Sequence, residues 1–180
     1  MTRVRSFGSV AAPGATRLIL GSMPGEASLR AGQYYAHPRN LFWPVLGELL
    51  GLDTDLPYAG RVEALRSSGI ALWDVLKSCS RAGSLDTAIE RHTIVPNDFP
   101  AFFAAHPGVR RVYFNGTAAE QYFRRWALPL LAAQPLDYMR LPSTSPAHAA
   151  LSYEQKLAAW RVVVAGDSKT RRRVSPAKRR

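Results

Sequence analysis

The sequence predicts an α/β protein, a three-layer α/β/α sandwich with a central four-stranded parallel sheet. Three observations carry that expectation. Four short β-branched or apolar runs are spaced along the chain, Arg17–Gly21, Ile70–Trp73, Val109–Phe114 and Tyr138–Leu141. Stretches with the apolar spacing of a helix face separate them, and alternation of strand and helix is the pattern of a parallel sheet covered on both faces. The chain has 180 residues, 47% of them hydrophobic, enough for one sizeable core and too few for two ordinary domains.

The first strand, Arg17–Gly21, runs into Gly21-Ser22-Met23-Pro24-Gly25, which is too rich in Gly and Pro to be helical and predicts a tight loop exposing backbone N–H groups. Leu41, Phe42, Val45, Leu46, Leu49 and Leu50 then repeat at helical spacing, with Gly51 as the expected C-cap. A second helix is expected over Gly60–Ser67, just before the strand Ile70–Trp73. Asn97 or Asp98 can cap a helix carrying Phe102, Phe103 and His106, and Thr117–Trp126 reads as another helix stopped near Pro129. After the last strand, Ser152-Tyr153-Glu154-Gln155 has the form of a capping box, with Tyr153, Leu157 and Trp160 on the face that follows. The expected organisation is an N-terminal arm over residues 1–14, one domain over 15–165 and a basic, disordered tail over 166–180. No internal repeat is visible.

Charge and cysteine usage narrow the function classes. The net charge is +11, but Lys169, Arg171, Arg172, Arg173, Lys178, Arg179 and Arg180 all lie in the last twelve residues. Without those seven, 17 basic residues face 13 acidic ones, so the folded part is only modestly basic and the tail is a polycation. Such a tail binds polyanions by releasing counterions, or it is simply a solvated terminus. Cys79 is the only cysteine, which excludes an internal disulfide and a four-thiolate iron–sulfur cluster. The histidines His37, His92, His106 and His148 lack the short regular spacing of zinc sites, so no metal and no cofactor is expected. No apolar stretch approaches the roughly 18 to 20 residues that cross a bilayer, and no secretory signal is visible, so a cytoplasmic, nucleoid-associated protein without membrane contact is expected.

Ligands in open parallel sheets bind beyond the carboxyl ends of the strands. Those positions are polar here: Ser22, Asp74, Asn115 and the trio Ser143, Thr144 and Ser145. Turns favour the same residue types, but four such ends together point to a site. The first loop lacks both the Gly-Lys-Ser/Thr of a Walker loop and the third glycine of a dinucleotide fingerprint. Residues 32–43, Gly-Gln-Tyr-Tyr-Ala-His-Pro-Arg-Asn-Leu-Phe-Trp, gather flat rings and amide groups immediately before a helix. A flipped base is read by such groups, with rings on its faces and hydrogen bonds on its edge. Phe42 and Trp43 are expected to fill the core, whereas Tyr35, His37 and Asn40 lie in the irregular part and are candidate ligand contacts.

Taken together, the loop Gly21–Gly25, the run Tyr34–Trp43, the strand end Phe114-Asn115-Gly116 and the late loop Leu141-Pro142-Ser143-Thr144-Ser145-Pro146 resemble the uracil-DNA glycosylase superfamily. Within it the similarity is greatest to the hypoxanthine (deoxyinosine) DNA glycosylase branch, and more distant to the mismatch-specific uracil glycosylases. The resemblance spans about residues 15–163 and rests on four motifs in order. It implies a monofunctional glycosylase that flips a deaminated base out of DNA and hydrolyses its N-glycosidic bond, initiating base excision repair as a monomer without an iron–sulfur cluster. It also implies roles for single residues. Members carry Asn or Asp at the third position of the first loop to hold the attacking water, and this chain has Met23 there. In the hypoxanthine branch the main catalytic residue maps onto Asn40, with Asn115 assisting at the base. Gly21, Ser22, Met23, Pro24 and Gly25 would contact the base, Tyr35 would stack on it and His37 would border it. Ser143, Thr144, Ser145, Pro146 and His148 match the motif that grips DNA phosphates, with Ser143-Thr144 standing where relatives carry His-Pro or Asn-Pro.

Two other readings remain open on the sequence. One is a uracil-specific enzyme, because the same pocket accepts a pyrimidine. The other is a non-catalytic DNA-binding relative, which Met23 keeps in view.

Overall fold

The computed structural model describes residues 2–53 and 55–165. In chain order the elements are β1 (Thr2–Arg5), β2 (Arg17–Gly21), α1 (Glu26–Ala31), α2 (Phe42–Leu50), α3 (Tyr58–Ser67), β3 (Ile70–Asp74) and β4 (Leu76–Arg81). They continue with β5 (Val95–Pro96), α4 (Phe99–Ala105), β6 (Arg111–Asn115), α5 (Thr117–Tyr122), β7 (Asp137–Leu141) and α6 (Tyr153–Trp160). The central sheet has the order β3-β2-β6-β7, with every pair parallel. This is the four-stranded parallel sheet expected from the four apolar runs.

Side chains on a strand alternate between faces, and here both faces are covered. Leu18, Leu20, Ala71, Val112 and Phe114 enter one core cluster, and Ile19, Ile70, Leu72, Tyr113 and Leu141 enter the other. The first cluster is completed from α4 and α5 by Phe99, Phe102, Phe103 and Ala119, and the second from α2, α3 and α6 by Phe42, Leu46, Leu65, Leu157 and Trp160. Burial on both faces is why β2 and β3 read as unbroken apolar runs. The α/β/α layering follows.

The helix signals act at the expected places. Gly51 closes α2 in the left-handed conformation, φ 65°, with its N–H donated to the last turn. The Asp98 carboxylate accepts from the Ala101 N–H at the start of α4. Ser152 and Gln155 form a reciprocal capping box on α6. The expected helix over Thr117–Trp126 instead breaks after Tyr122 into a π-helical turn, Phe123–Ala127, and a short 3-10 turn, Leu128–Leu130. The wider turn brings both Phe123 and Ala127 into the core.

A second sheet, β1-β4-β5 and antiparallel, was not foreseen. β4 reads Leu-Lys-Ser-Cys-Ser-Arg, and only the fold shows that Leu76, Ser78, Cys79 and Arg81 are its buried residues. The stretch 1–14, set apart as an arm, is tied to the body: Thr2–Arg5 pairs with β4, and Val10 is buried and bridges to Leu72. The expected disordered tail over 166–180 lies outside the described residues. Among the described residues no helix is long and apolar enough to cross a membrane.

Candidate active site

The carboxyl ends of β2, β3 and β6 meet the aromatic run and the late loop around one cavity of about 180 Å³. That is smaller than the roughly 300–1,000 Å³ of pockets for drug-sized ligands, and is on the scale of a single base. Every site residue expected from the sequence borders it except His148.

The first loop connects β2 to α1 and is held from below. Val75 and Leu76 donate their N–H groups to the carbonyls of Gly21 and Ser22, at 2.8 and 3.1 Å. The buried Arg81 guanidinium donates to the Pro24 carbonyl. The Ser22 hydroxyl donates to both carboxylate oxygens of Asp86, at 2.8 and 2.9 Å, and the Glu26 N–H donates to Ser84 Oγ at 2.9 Å. Gly21 must lack a side chain, because a Cβ there would collide with Asp74 Oδ1 and sit 2.8 Å from the Tyr35 hydroxyl. Met23 borders the cavity, but it is buried and joins the core cluster beneath the loop. Apolar packing thus occupies the loop position where the sequence resemblance implied a water-holding amide or carboxylate.

The aromatic run is pinned at several points. The Trp43 indole donates to the Tyr34 carbonyl at 2.8 Å, the Tyr34 hydroxyl donates to the Gly8 carbonyl at 3.1 Å, and the Ala36 N–H donates to Ser28 Oγ at 3.1 Å. Phe42 and Trp43 are buried core residues, as expected. Tyr35 is the one non-glycine among the described residues with positive φ, 55°, a conformation that costs roughly 1–2 kcal/mol and is tolerated where the surroundings over-determine it. Its ring stacks on Phe42 at 3.9 Å between centroids, so a base could use only the opposite face. His37 borders the cavity, with Nδ1 accepting from the Arg39 N–H. Asn40 places Oδ1 3.0 Å from the Phe42 N–H, where it satisfies a donor of the first turn of α2. Its amide N–H₂ and a second oxygen lone pair remain for a ligand.

The third strand end and the late loop act as a unit. Asn115 Nδ2 donates to Thr144 Oγ1 at 2.8 Å, and the Thr144 N–H donates back to Asn115 Oδ1 at 2.9 Å. Thr144 is fully buried, so its side chain fixes Asn115 and cannot grip a phosphate as expected. Its carbonyl also accepts from the Leu41 N–H at 3.0 Å, joining the late loop to the aromatic run. Gly116, with φ 92°, brings the chain within 2.9 Å of Ser143 as measured from a notional Cβ, a backbone that only glycine adopts freely. Ser143, Ser145 and Pro146 face the cavity. His148 is exposed outside it, and its carbonyl accepts from the buried Lys156 ammonium at 2.7 Å.

Seven cavity residues were missed: Glu26, Ala27, Ser28 and Tyr34, next to expected ones in the chain, then Asp74, noted only as a polar strand end, and Ser84 and Asp86. The last two follow β4 in a polar loop, and only the unforeseen second sheet folds that loop back onto Gly21–Gly25. Asp74 is buried, with Oδ2 lacking any hydrogen-bond partner. Burial, reinforced by the neighbouring Asp86 and opposed by Arg81, pushes its carboxyl up to about 8. Burial raises Asp86 as well, while the Ser22 hydroxyl and Arg81 hold it down. Burial and then Asp74 raise the Tyr35 phenol, whose hydroxyl also lacks a partner. Among the described residues no three His, Cys, Asp or Glu side chains are grouped to hold a metal.

The sequence matches the family model of the Uracil DNA glycosylase superfamily over residues 7–164. It is 40% identical to the hypoxanthine DNA glycosylase of Methanosarcina barkeri over 132 residues, which is 73% of this chain and 79% of that protein. It is 36% identical to the hypoxanthine DNA glycosylase of Methanosarcina acetivorans over 160 residues, 88% of this chain and 96% of that one. The fold resembles a solution NMR structure from Methanosarcina acetivorans, assigned provisionally as a uracil DNA glycosylase. The TM-score is 0.73 and the identity 34%, over 90% of this chain and 99% of that one. The four ordered motifs, their convergence on one cavity and these similarities lead to one conclusion: the chain belongs to the uracil DNA glycosylase superfamily.

Proposed function

We propose that this protein is a monofunctional DNA glycosylase that excises hypoxanthine from DNA by hydrolysis, with uracil as a second substrate. The convergence of Tyr35, Asn40, Asn115 and the first loop on one base-sized cavity carries this reading. Extruding a base costs a few kcal/mol, and stacking on the free face of Tyr35 recovers roughly 1–3 kcal/mol. Ser143 and Ser145 at the rim hold the backbone in register. Asn40 positions water at the anomeric carbon; an amide is a poor base, so its contribution is placement. Asn115, locked by Thr144, offers its amide to the base. No lysine borders the cavity among the described residues, so an amine is not at hand for a Schiff base, and water is the nucleophile. The products are a free base and an abasic site. The nucleoid is where such an enzyme meets its substrate, and it works as a monomer.

The packing of Met23 into the core favours a second reading, a DNA-binding relative without catalysis. One assay separates the two. Oligonucleotides with a single hypoxanthine, uracil or xanthine are incubated with excess protein, and base release is followed with and without alkaline cleavage. The expected result is hypoxanthine release that leaves an alkali-sensitive site and no borohydride-trapped adduct. Binding with no release of any base would establish the second reading, and an adduct would overturn the monofunctional mechanism.

A further inference from the structure

Asp74 has no part in the hydrolysis as described, although it is the most enclosed carboxyl bordering the cavity. It ends β3 in register with Gly21, and Gly21 leaves its Oδ1 side open where any other residue would collide with it. Its Oδ2 is buried without a donor. The local charges explain which form it takes. Arg81 is the cation facing this region, and two carboxyls, Asp74 and Asp86, lie within its field. Asp86 receives the Ser22 hydroxyl on both oxygens and so is the one equipped to stay ionised. Asp74 receives no such donor. The other groups facing it are the phenols of Tyr34, Tyr35 and Tyr58, which stay neutral at ordinary pH and supply no positive charge. A buried carboxyl with no donor on it keeps its proton, and burial holds Asp74 in that form up to about pH 8.

We propose that Asp74 is the general acid that protonates the departing purine. The inference rests on the reading of the cavity as a base pocket. The carboxyl proton passes to N7 of hypoxanthine as the bond between C1′ and N9 breaks. The bonding electron pair stays with the base, which leaves neutral, and the sugar becomes an oxocarbenium ion. Water adds to C1′ and gives up a proton to solvent, and solvent returns one to the Asp74 carboxylate, so one water is consumed and no charge accumulates. Uracil has no ring nitrogen lone pair of this kind, so Asp74 can offer it only a hydrogen bond. The cavity is therefore built to release a purine.

The test compares single-turnover base excision from two otherwise identical oligonucleotides, one with deoxyinosine, which releases hypoxanthine, and one with 7-deaza-2′-deoxyinosine, which releases 7-deazahypoxanthine, by the wild type and by Asp74→Asn. Positioned proton transfer contributes roughly 10²–10⁴-fold. The wild type should therefore excise deoxyinosine at least about a hundredfold faster than its 7-deaza analogue. Above about pH 8 that rate should fall tenfold per pH unit. Asp74→Asn should bring the two substrates within about threefold of each other and flatten the alkaline limb. The proposal is overturned if the wild type treats both substrates alike, a measurement that needs no variant. It is also overturned if Asp74→Asn loses the same factor on both. Wild-type protein that releases no base from either oligonucleotide defeats the glycosylase reading itself, an outcome distinct from both.

Discussion

Replacing Asn40 separates a structural from a catalytic residue, because the structure gives it a definite structural task. Its Oδ1 accepts one hydrogen bond, from the Phe42 N–H at the start of α2. Removing such a bond at a helix start costs about 1 kcal/mol, within a range of roughly 0.5–2. In Asn40→Ala that cost falls on a helix still anchored by the buried Phe42, Trp43, Val45 and Leu46. A domain of about 5 kcal/mol stability would remain more than about 99% folded after losing 1 kcal/mol, so unfolding cannot lower the measured rate appreciably. Asn40→Ser keeps an oxygen able to reach the N–H two residues on and should melt close to the wild type. Loss of water positioning, by contrast, costs about a hundredfold or more, near 2.7 kcal/mol of barrier. The assay pairs urea unfolding with single-turnover hypoxanthine release for Asn40→Ala and Asn40→Ser. The expected pattern is a small stability loss in the first, almost none in the second, and a collapse of rate in both. If Asn40→Ser melts normally and excises within about threefold of the wild type, Asn40 is a capping residue and nothing more.

Tyr35→Phe removes a buried hydroxyl that has no partner, so it should leave stability unchanged or higher and excision within about threefold; Tyr35→Ala should lose about tenfold or more in a base-binding assay. Equal behaviour of the two variants would remove the ring from the mechanism. Thr144→Val leaves Asn115 Nδ2 without its acceptor, and urea unfolding should show a loss of about 1–3 kcal/mol with slower excision; an unchanged midpoint would mean that the Asn115 link is unimportant. Asp74 titrates in the native state near 8 instead of at its ordinary value of 3.8, so the native state binds a proton that the unfolded chain has released. Stability should therefore fall as pH rises between those values, with Asp74 contributing at most about 1.4 kcal/mol per pH unit, and Asp74→Asn should make that slope shallower in melts across pH 5–8. Truncation after Gly166 removes seven basic residues and should reduce the dependence of DNA binding on salt, each lost phosphate contact lowering the logarithmic slope by about 0.9. Equal slopes for both forms would assign the tail no electrostatic role.

The sequence by itself determined the central sheet, the capping signals at Gly51 and Ser152 and one at Asn97 or Asp98, and most of the segments that build the cavity. These are local properties. A strand buried on both faces must be apolar along its length, a cap is written within four residues, and the loops beyond the strand ends are where a parallel sheet exposes a site. The candidate site was legible wherever a polar residue interrupted an apolar or aromatic stretch, as at Asn40 and Asn115. Tertiary structure alone decided the rest. β4 hides its buried residues among Lys, Ser and Arg, so neither the second sheet nor the return of Ser84 and Asp86 to the first loop could be read from its pattern. Thr144 looked like one more serine-type phosphate contact until its side chain turned inward to Asn115. Asp74 was one polar strand end among several. Its chemistry comes from the absence of a donor and the proximity of Gly21, Asp86 and Arg81, groups separated in the chain and brought together only by the parallel pairing of β2 with β3 and the packing of β4 beneath the first loop.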